Sequence, residues 1–161
     1  MVEVPSVALM AEQFAEEVDF FSIGTNDMTQ YVLAVDRGND LVADYYHELH
    51  PAVLTLIART IEVARSRDIE VSLCGEMAAD PRATPILAGL GLRTFSASPT
   101  YLPEIKRAIR SMEIDEAEQL ARRALELEGP EEVETMMENW LEAHDVGFAR
   151  ALSVDQVEDE S

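Results

Sequence analysis

Positive charge is scarce in this sequence. Twelve of its 161 residues are lysine or arginine, against 32 aspartates and glutamates, for a formal net charge of −20. Lys106 is the only lysine; the other 11 basic residues are arginines. Such a surface repels nucleic acid and anionic membranes, so neither is an expected partner. The plain reading is an acidic protein with an acidic tail. The sharper one is adaptation to high salt, where screening makes dense negative charge tolerable, and it is favoured because the acid excess runs along the whole chain.

Other absences narrow the field. Cys74 is the only cysteine, which excludes an intramolecular disulfide and suits a reducing cytoplasm, the expected location. No apolar run is long enough to span a bilayer. No charged leader followed by an apolar stretch opens the sequence, so no secretory signal is expected. No His/Cys spacing matches a zinc site and no glycine-rich phosphate loop is present. The length suffices for one domain with its own core but falls short of the about 250 residues of a whole TIM barrel.

What is present is an alternation of short strands and helices. Val2 to Val4, Asp19 to Gly24, Glu70 to Cys74 and Thr94 to Ala97 are brief and rich in β-formers. Between them lie helical stretches. Pro5 opens one with Leu9, Met10 and Phe14 on one face, and Pro51 opens one with Val53, Leu54, Ile57 and Ile61 at helical spacing. Asp80-Pro81 starts a third, ended by Gly89 and Gly91, and Pro103 opens a fourth with Ile105, Ala108 and Ile109. Strands alternating with helices imply a parallel α/β arrangement. From Met112 the pattern becomes helical, with helices over Ile114 to Leu127 and Glu131 to Ala143, the second carrying Met136, Met137 and Trp140 as packing residues. The expected organisation is a β/α region over 1–111, a helical extension over 112–143 and an acidic, disordered tail over 144–161.

In parallel β/α folds functional groups collect at the C-terminal ends of strands. Glu3, Thr25-Asn26-Asp27, Cys74-Gly75-Glu76 and Ser96-Ala97-Ser98-Pro99 all fall there, so they are expected to converge on one mouth. Glu3 and Asp27 are hard oxygen ligands of the kind Mg²⁺ takes one or two at a time, or else capping residues at strand ends. Arg37 offers a planar fork of donors to a phosphate, or else pairs with Asp36 or Asp40. Cys74 is a candidate proton donor, or else a small buried hydrophobe. Spacing alone favours the plainer member of each pair. His47, His50 and His144 form no catalytic pattern.

Taken together the motifs are specific. Phe21-Ser22-Ile23-Gly24-Thr25-Asn26-Asp27-Met28-Thr29-Gln30-Tyr31 closely resembles the signature of phosphoenolpyruvate-utilising enzymes, as do Val2-Glu3-Val4-Pro5 and Cys74-Gly75-Glu76-Met77-Ala78. Ala34-Val35-Asp36-Arg37-Gly38-Asn39 and Ser96-Ala97-Ser98-Pro99 are similar to the phosphoenolpyruvate-protein phosphotransferases (Enzyme I of the sugar phosphotransferase system) in particular. The resemblance covers roughly residues 1 to 127. It implies half of a (β/α)8 TIM-type barrel, the last four β/α units, followed by C-terminal helices. It also implies that Glu3 and Asp27 bind Mg²⁺, that Asn26 and Arg37 hold the phosphate of phosphoenolpyruvate, and that Cys74 protonates the enolate to give pyruvate.

The same resemblance sets limits. Met1 aligns inside the family's fifth strand, so the first four strands and the swivelling phosphohistidine domain are not in this sequence. The expected activity is therefore part of a transferase, without turnover of its own, needing the missing N-terminal half from elsewhere. The family's histidine-containing phosphocarrier protein is expected as an indirect partner. A non-catalytic half-barrel that binds a partner or forms a homodimer, and a truncated gene product, are the competing readings.

Overall fold

The computed structural model describes residues 1–146. Its centre is a three-stranded parallel sheet in the order β1-β2-β3, with β1 at Phe20–Gly24, β2 at Glu70–Cys74 and β3 at Thr94–Ser96. The expected N-terminal strand is reduced to a single parallel bridge between Val2 and Ile23, closed by Val2 N–H to Ser22 O at 2.7 Å and Gly24 N–H to Val2 O at 3.0 Å. Pro5 explains the brevity: it fixes its own φ for a helical turn, so the chain leaves the sheet at once.

Strand alternation divides the sheet into two unlike faces. Phe21, Ile23, Val71, Leu73 and Phe95 share one; Ser22, Gly24, Ser72, Cys74, Thr94 and Ser96 share the other, with Phe20 and Glu70 at its far end. The apolar face joins the core, where Ile23 and Leu73 are fully buried. The face of small polar residues is partly open.

Helices supply the rest of the core. After β1 the chain enters α3 (Thr25–Leu33) with no intervening loop. α4 (Pro51–Ser66) starts with proline in its first turn and with His50 as its cap, whose Nδ1 accepts from Ala52 N–H at 3.1 Å. Val53, Leu54, Ile57 and Ile61 are fully buried along it, as their spacing requires. Each contributes about 1.5–3 kcal/mol by leaving water. α5 (Ala83–Gly89), α6 (Leu102–Ser111), α7 (Ile114–Glu126) and α8 (Pro130–Ala143) follow. α5 begins later than Asp80-Pro81 suggests, because the Asp80 side chain accepts from Arg82 N–H at 2.8 Å and holds a turn ahead of the helix.

The first helical stretch differs from expectation. It is two pieces, α1 (Pro5–Leu9) and α2 (Ala11–Phe14), broken at Met10. Its buried residues are Ala8, Ala11 and Ala15, whereas Leu9, Met10 and Phe14 are exposed. The stretch lies close to α4, and close approach of backbones selects the small side chains over the large ones.

α7 packs tightly on α5. A Cβ on Gly89 would collide with the Ala117 carbonyl, and Ala117, Ala121 and Ala124 are buried alongside. α8 adds Val133, Met137, Trp140 and Leu141 to the same hydrophobic cluster as the strands. Trp140 Nε1–H donates to Glu116 at 3.0 Å and its ring stacks on His144, with centroids 4.2 Å apart. The expectation of a disordered tail falls, from residue 147 onward, outside the described residues. Among the described residues no helix is long and apolar enough to cross a membrane.

Candidate functional site

The parallel register sets Gly24 beside Cys74 and Cys74 beside Ser96 in one row across the sheet. The segments after these three residues therefore leave from the same edge. This is the rim on which the sequence places its polar clusters.

Asn26 is the centre of the rim. Its Oδ1 accepts from the backbone N–H of Glu76 at 2.8 Å, joining the start of α3 to the 3-10 turn Glu76–Ala79. Its own carbonyl accepts from the Tyr46 hydroxyl at 3.0 Å. Thr25 Oγ1 donates to Cys74 O at 3.1 Å, a second tie between the same segments. Gly75 makes the approach feasible: its φ is +108°, and a Cβ there would strike Thr25 Oγ1 and stand 2.6 Å from Asn26 Oδ1. Only glycine adopts this backbone without strain and leaves that space.

Arg37 reaches the same turn. It pairs with Glu76 at 3.2 Å, not with Asp36 or Asp40. Asp36 is otherwise occupied, its Oδ1 accepting from Gly38 N–H at 2.9 Å, and Asn39 Oδ1 accepts from Leu41 N–H at 3.1 Å, which folds the loop on itself. Arg37 is half-exposed, and Glu76 more so, so the pair is open to an incoming anion.

Cys74 is half-buried. Its Sγ lies 3.5 Å from Ile23 O, to which it donates, and 3.9 Å from Ser22 Oγ. It is neither sealed in the core nor free on the surface, and it sits at the base of the Gly75 turn.

Glu3 lies over Gly24, where an added Cβ would be 3.2 Å from Glu3 Cβ and 3.4 Å from Glu3 Oε2. Asp27 is in the first turn of α3, three residues on. Two carboxylates at one rim suit a cation that takes one or two carboxylates and fills its remaining positions with water and phosphate oxygens. The described residues hold no group of three or more His, Cys, Asp and Glu able to bind a metal alone.

Tyr46 and Glu48 belong to this neighbourhood and are not visible in the sequence as site residues. They fall in the irregular stretch ahead of α4, where no spacing marks them. Burial, with the nearby Glu48 charge, pushes the Tyr46 hydroxyl up to about 12. Burial, then the charges of Glu76 and Asp80, push the Glu48 carboxyl up to about 7. Of the histidines, His47 pairs with Glu134 at 3.2 Å, His50 caps α4 and His144 packs on Trp140, so all three have structural roles.

Comparison with known proteins decides the family. The profile described as PEP-utilising enzyme, PEP-binding domain, matches residues 1–114. The chain belongs to the phosphoenolpyruvate-utilising enzymes. Within that family it is 47% identical over 141 residues to the phosphoenolpyruvate-protein phosphotransferase of Buchnera aphidicola subsp. Acyrthosiphon pisum, covering 88% of this chain and 25% of the relative. It is 47% identical over 133 residues to the protein of the same name from Haloferax volcanii, covering 83% of this chain and 24% of the relative. It is 46% identical over 136 residues to the multiphosphoryl transfer protein of Xanthomonas campestris pv. campestris, covering 84% of this chain and 16% of the relative. The chain spans a quarter or less of each of these relatives.

Proposed function

We propose that this chain supplies the C-terminal part of the phosphoenolpyruvate site of a protein phosphotransferase, which moves phosphoryl from phosphoenolpyruvate to a histidine and releases pyruvate. The observation that carries this reading is the Asn26–Glu76–Arg37 connection at the strand ends, with Cys74 at its base. Asn26 and Arg37 present donors to the phosphate. An arginine there matches a phosphate bidentately and offsets its charge as the phosphoryl group departs. For it to do so, Arg37 exchanges its exposed pair with Glu76 for the stronger anion.

Glu3 and Asp27 would hold Mg²⁺, which supplies further charge neutralisation to the phosphoryl oxygens. Cys74 stands as the proton donor. Loss of the phosphoryl group leaves an enolate, and a thiol proton delivered to its terminal carbon gives pyruvate. In this structure the thiol faces the Ile23 carbonyl, so delivery requires a rotation about its side-chain bond.

The fold part of the proposal is a half-barrel. The polar, partly open sheet face would line a barrel interior, and the edge at Val2 and the outer edge of β3 would continue into strands supplied by the rest of a longer polypeptide or by a separate chain. The phosphohistidine domain would come from the same source, with a small histidine-containing phosphocarrier as the onward acceptor. Such a protein would work in the cytoplasm, and its charge of −20 fits a cytoplasm of high ionic strength.

The competing reading, a binding or homodimerisation module, draws on Phe20, Leu9 and Met10, large apolar side chains that are exposed. Mixing the chain with a polypeptide carrying the first four strands and the phosphohistidine domain separates the two. The transferase reading expects labelled phosphoryl on the histidine and an equivalent of pyruvate. A stable complex that makes neither rejects it in favour of the binding module.

A further inference from the structure

Glu48 is the carboxyl group least explained by packing. Its Oε1 is buried and has no hydrogen-bond partner among the described residues. The next residue, Leu49, is fully buried, so the segment cannot simply turn the side chain out by sliding. The groups that face Glu48 come chiefly from the segment after Gly75: the Met77 backbone N–H, the carboxylates of Glu76 and Asp80, and the Arg82 guanidinium. On its own segment it faces Tyr46, whose hydroxyl is held by Asn26 O. Arg82 is shared, pairing with Asp80 at 2.8 Å and reaching Glu138 at 4.0 Å.

We propose that Glu48 is a positioning residue for the rim, and that its neutral acid form keeps the Gly75–Ala79 turn seated against Asn26 and Arg37. The proposal rests on reading that rim as the phosphoenolpyruvate site, but the seating itself is a property of the chain without ligand.

The physical reason is the cost of a buried charge. An ionised Glu48 has one buried oxygen without a partner and two like charges nearby, set against the single Met77 N–H, and such a group is disfavoured unless water or a cation reaches it. Leu49 fixes it from its own side. On the facing turn Met77 and Ala78 are fully buried and Glu76 is the exposed residue, so relief comes from the Gly75–Glu76 end of the turn lifting to admit water. A lifted turn takes Glu76 N–H off Asn26 Oδ1 and the Glu76 carboxylate off Arg37, and it disturbs Cys74 from which it hangs. With the carboxyl raised to about 7, this loosening falls in the neutral range.

The test uses the full chain without phosphoenolpyruvate. Amide hydrogen exchange at Glu76 is followed by NMR from pH 6 to 8.5 and corrected for the intrinsic pH dependence of exchange, for the wild type and for Glu48→Gln. Wild-type protection is expected to fall about tenfold over this range, the effect of one pH unit of linkage. Glu48→Gln, which is neutral at every pH, is expected to stay protected. Equal pH dependence in both proteins, or none in the wild type, overturns the proposal. Should the variant not fold, the wild-type Glu48 carboxyl resonance decides alone: a midpoint near 7 supports the proposal and one near 4.5 overturns it. None of these readings depends on catalysis, so failure of the transferase assay leaves this test standing, and the reverse.

Discussion

Two glycines mark two differently built regions. Gly89, on α5, is pressed against the backbone of Ala117 on α7, in surroundings of alanine and larger apolar side chains. Gly75, at the rim, is pressed against the polar side chains of Thr25 and Asn26 with its backbone at φ +108°. In the first region the missing Cβ lets two helices approach and bury surface. In the second it lets a turn meet a helix start through hydrogen bonds and still leave charged groups in water. Helix packing concentrates at one glycine and the proposed chemistry at the other.

Replacing Gly89 by alanine breaks the comparison most sharply. Helix propensity alone would make that change favourable by about 1 kcal/mol. The collision with Ala117 reverses the sign, and a loss of about 3 kcal/mol is expected in chemical denaturation, as for other overpacked interfaces. A stabilised protein would show that α5 and α7 do not approach as described. Gly75→Ala comes next, with a loss of about 2 kcal/mol from backbone strain and faster exchange at the Glu76 amide.

Arg37→Ala separates the regions from the other side. An exposed ion pair is worth at most about 1 kcal/mol, so the melting curve should hardly move. In the complemented transferase, by contrast, phosphoryl transfer should fall by about a hundredfold or more, the usual effect of removing a group that offsets developing charge. A large stability loss with full activity would reassign Arg37 to structure.

The pH dependence of stability carries a definite sign. The folded Glu48 carboxyl, raised to about 7, binds its proton more tightly than the ordinary value of 4.5. Its stabilising contribution is therefore complete below about 4.5 and is lost as pH rises through 7. Urea titrations at pH 5.5 and 8 should show the wild type weaker at the higher pH, with the difference reduced in Glu48→Gln. The smallest effect expected is from salt at neutral pH. Raising KCl from 0.1 to 2 M should increase the unfolding midpoint by a few degrees, because a chain of charge −20 repels itself and ions screen that repulsion. A midpoint indifferent to KCl would remove the argument for adaptation to high salt.

Local patterns in the chain were legible where one segment decides its own structure. The α4 face of Val53, Leu54, Ile57 and Ile61, the proline starts and the three strands all depend on neighbours within a few residues. The family motifs were legible for the same reason, since Thr25-Asn26-Asp27 and Cys74-Gly75-Glu76 are contiguous. The first helical stretch was not, because whether Leu9 or Ala8 is buried depends on how closely α4 approaches. Arg37 shows the same limit: Asp36 and Asp40 are its neighbours in sequence, but the loop turns it toward Glu76, 39 residues away.

By itself, then, the sequence determined the alternating α/β order and the family, both of which are written in short contiguous patterns of polarity and shape. Tertiary structure alone decided that Asn26 and Arg37 meet at Glu76, that Gly75 and Gly89 are needed for opposite reasons, and that Glu48 has a buried carboxyl oxygen beside the turn. These are contacts between distant segments. Their energies depend on the distances and burial that folding creates, which no local pattern specifies.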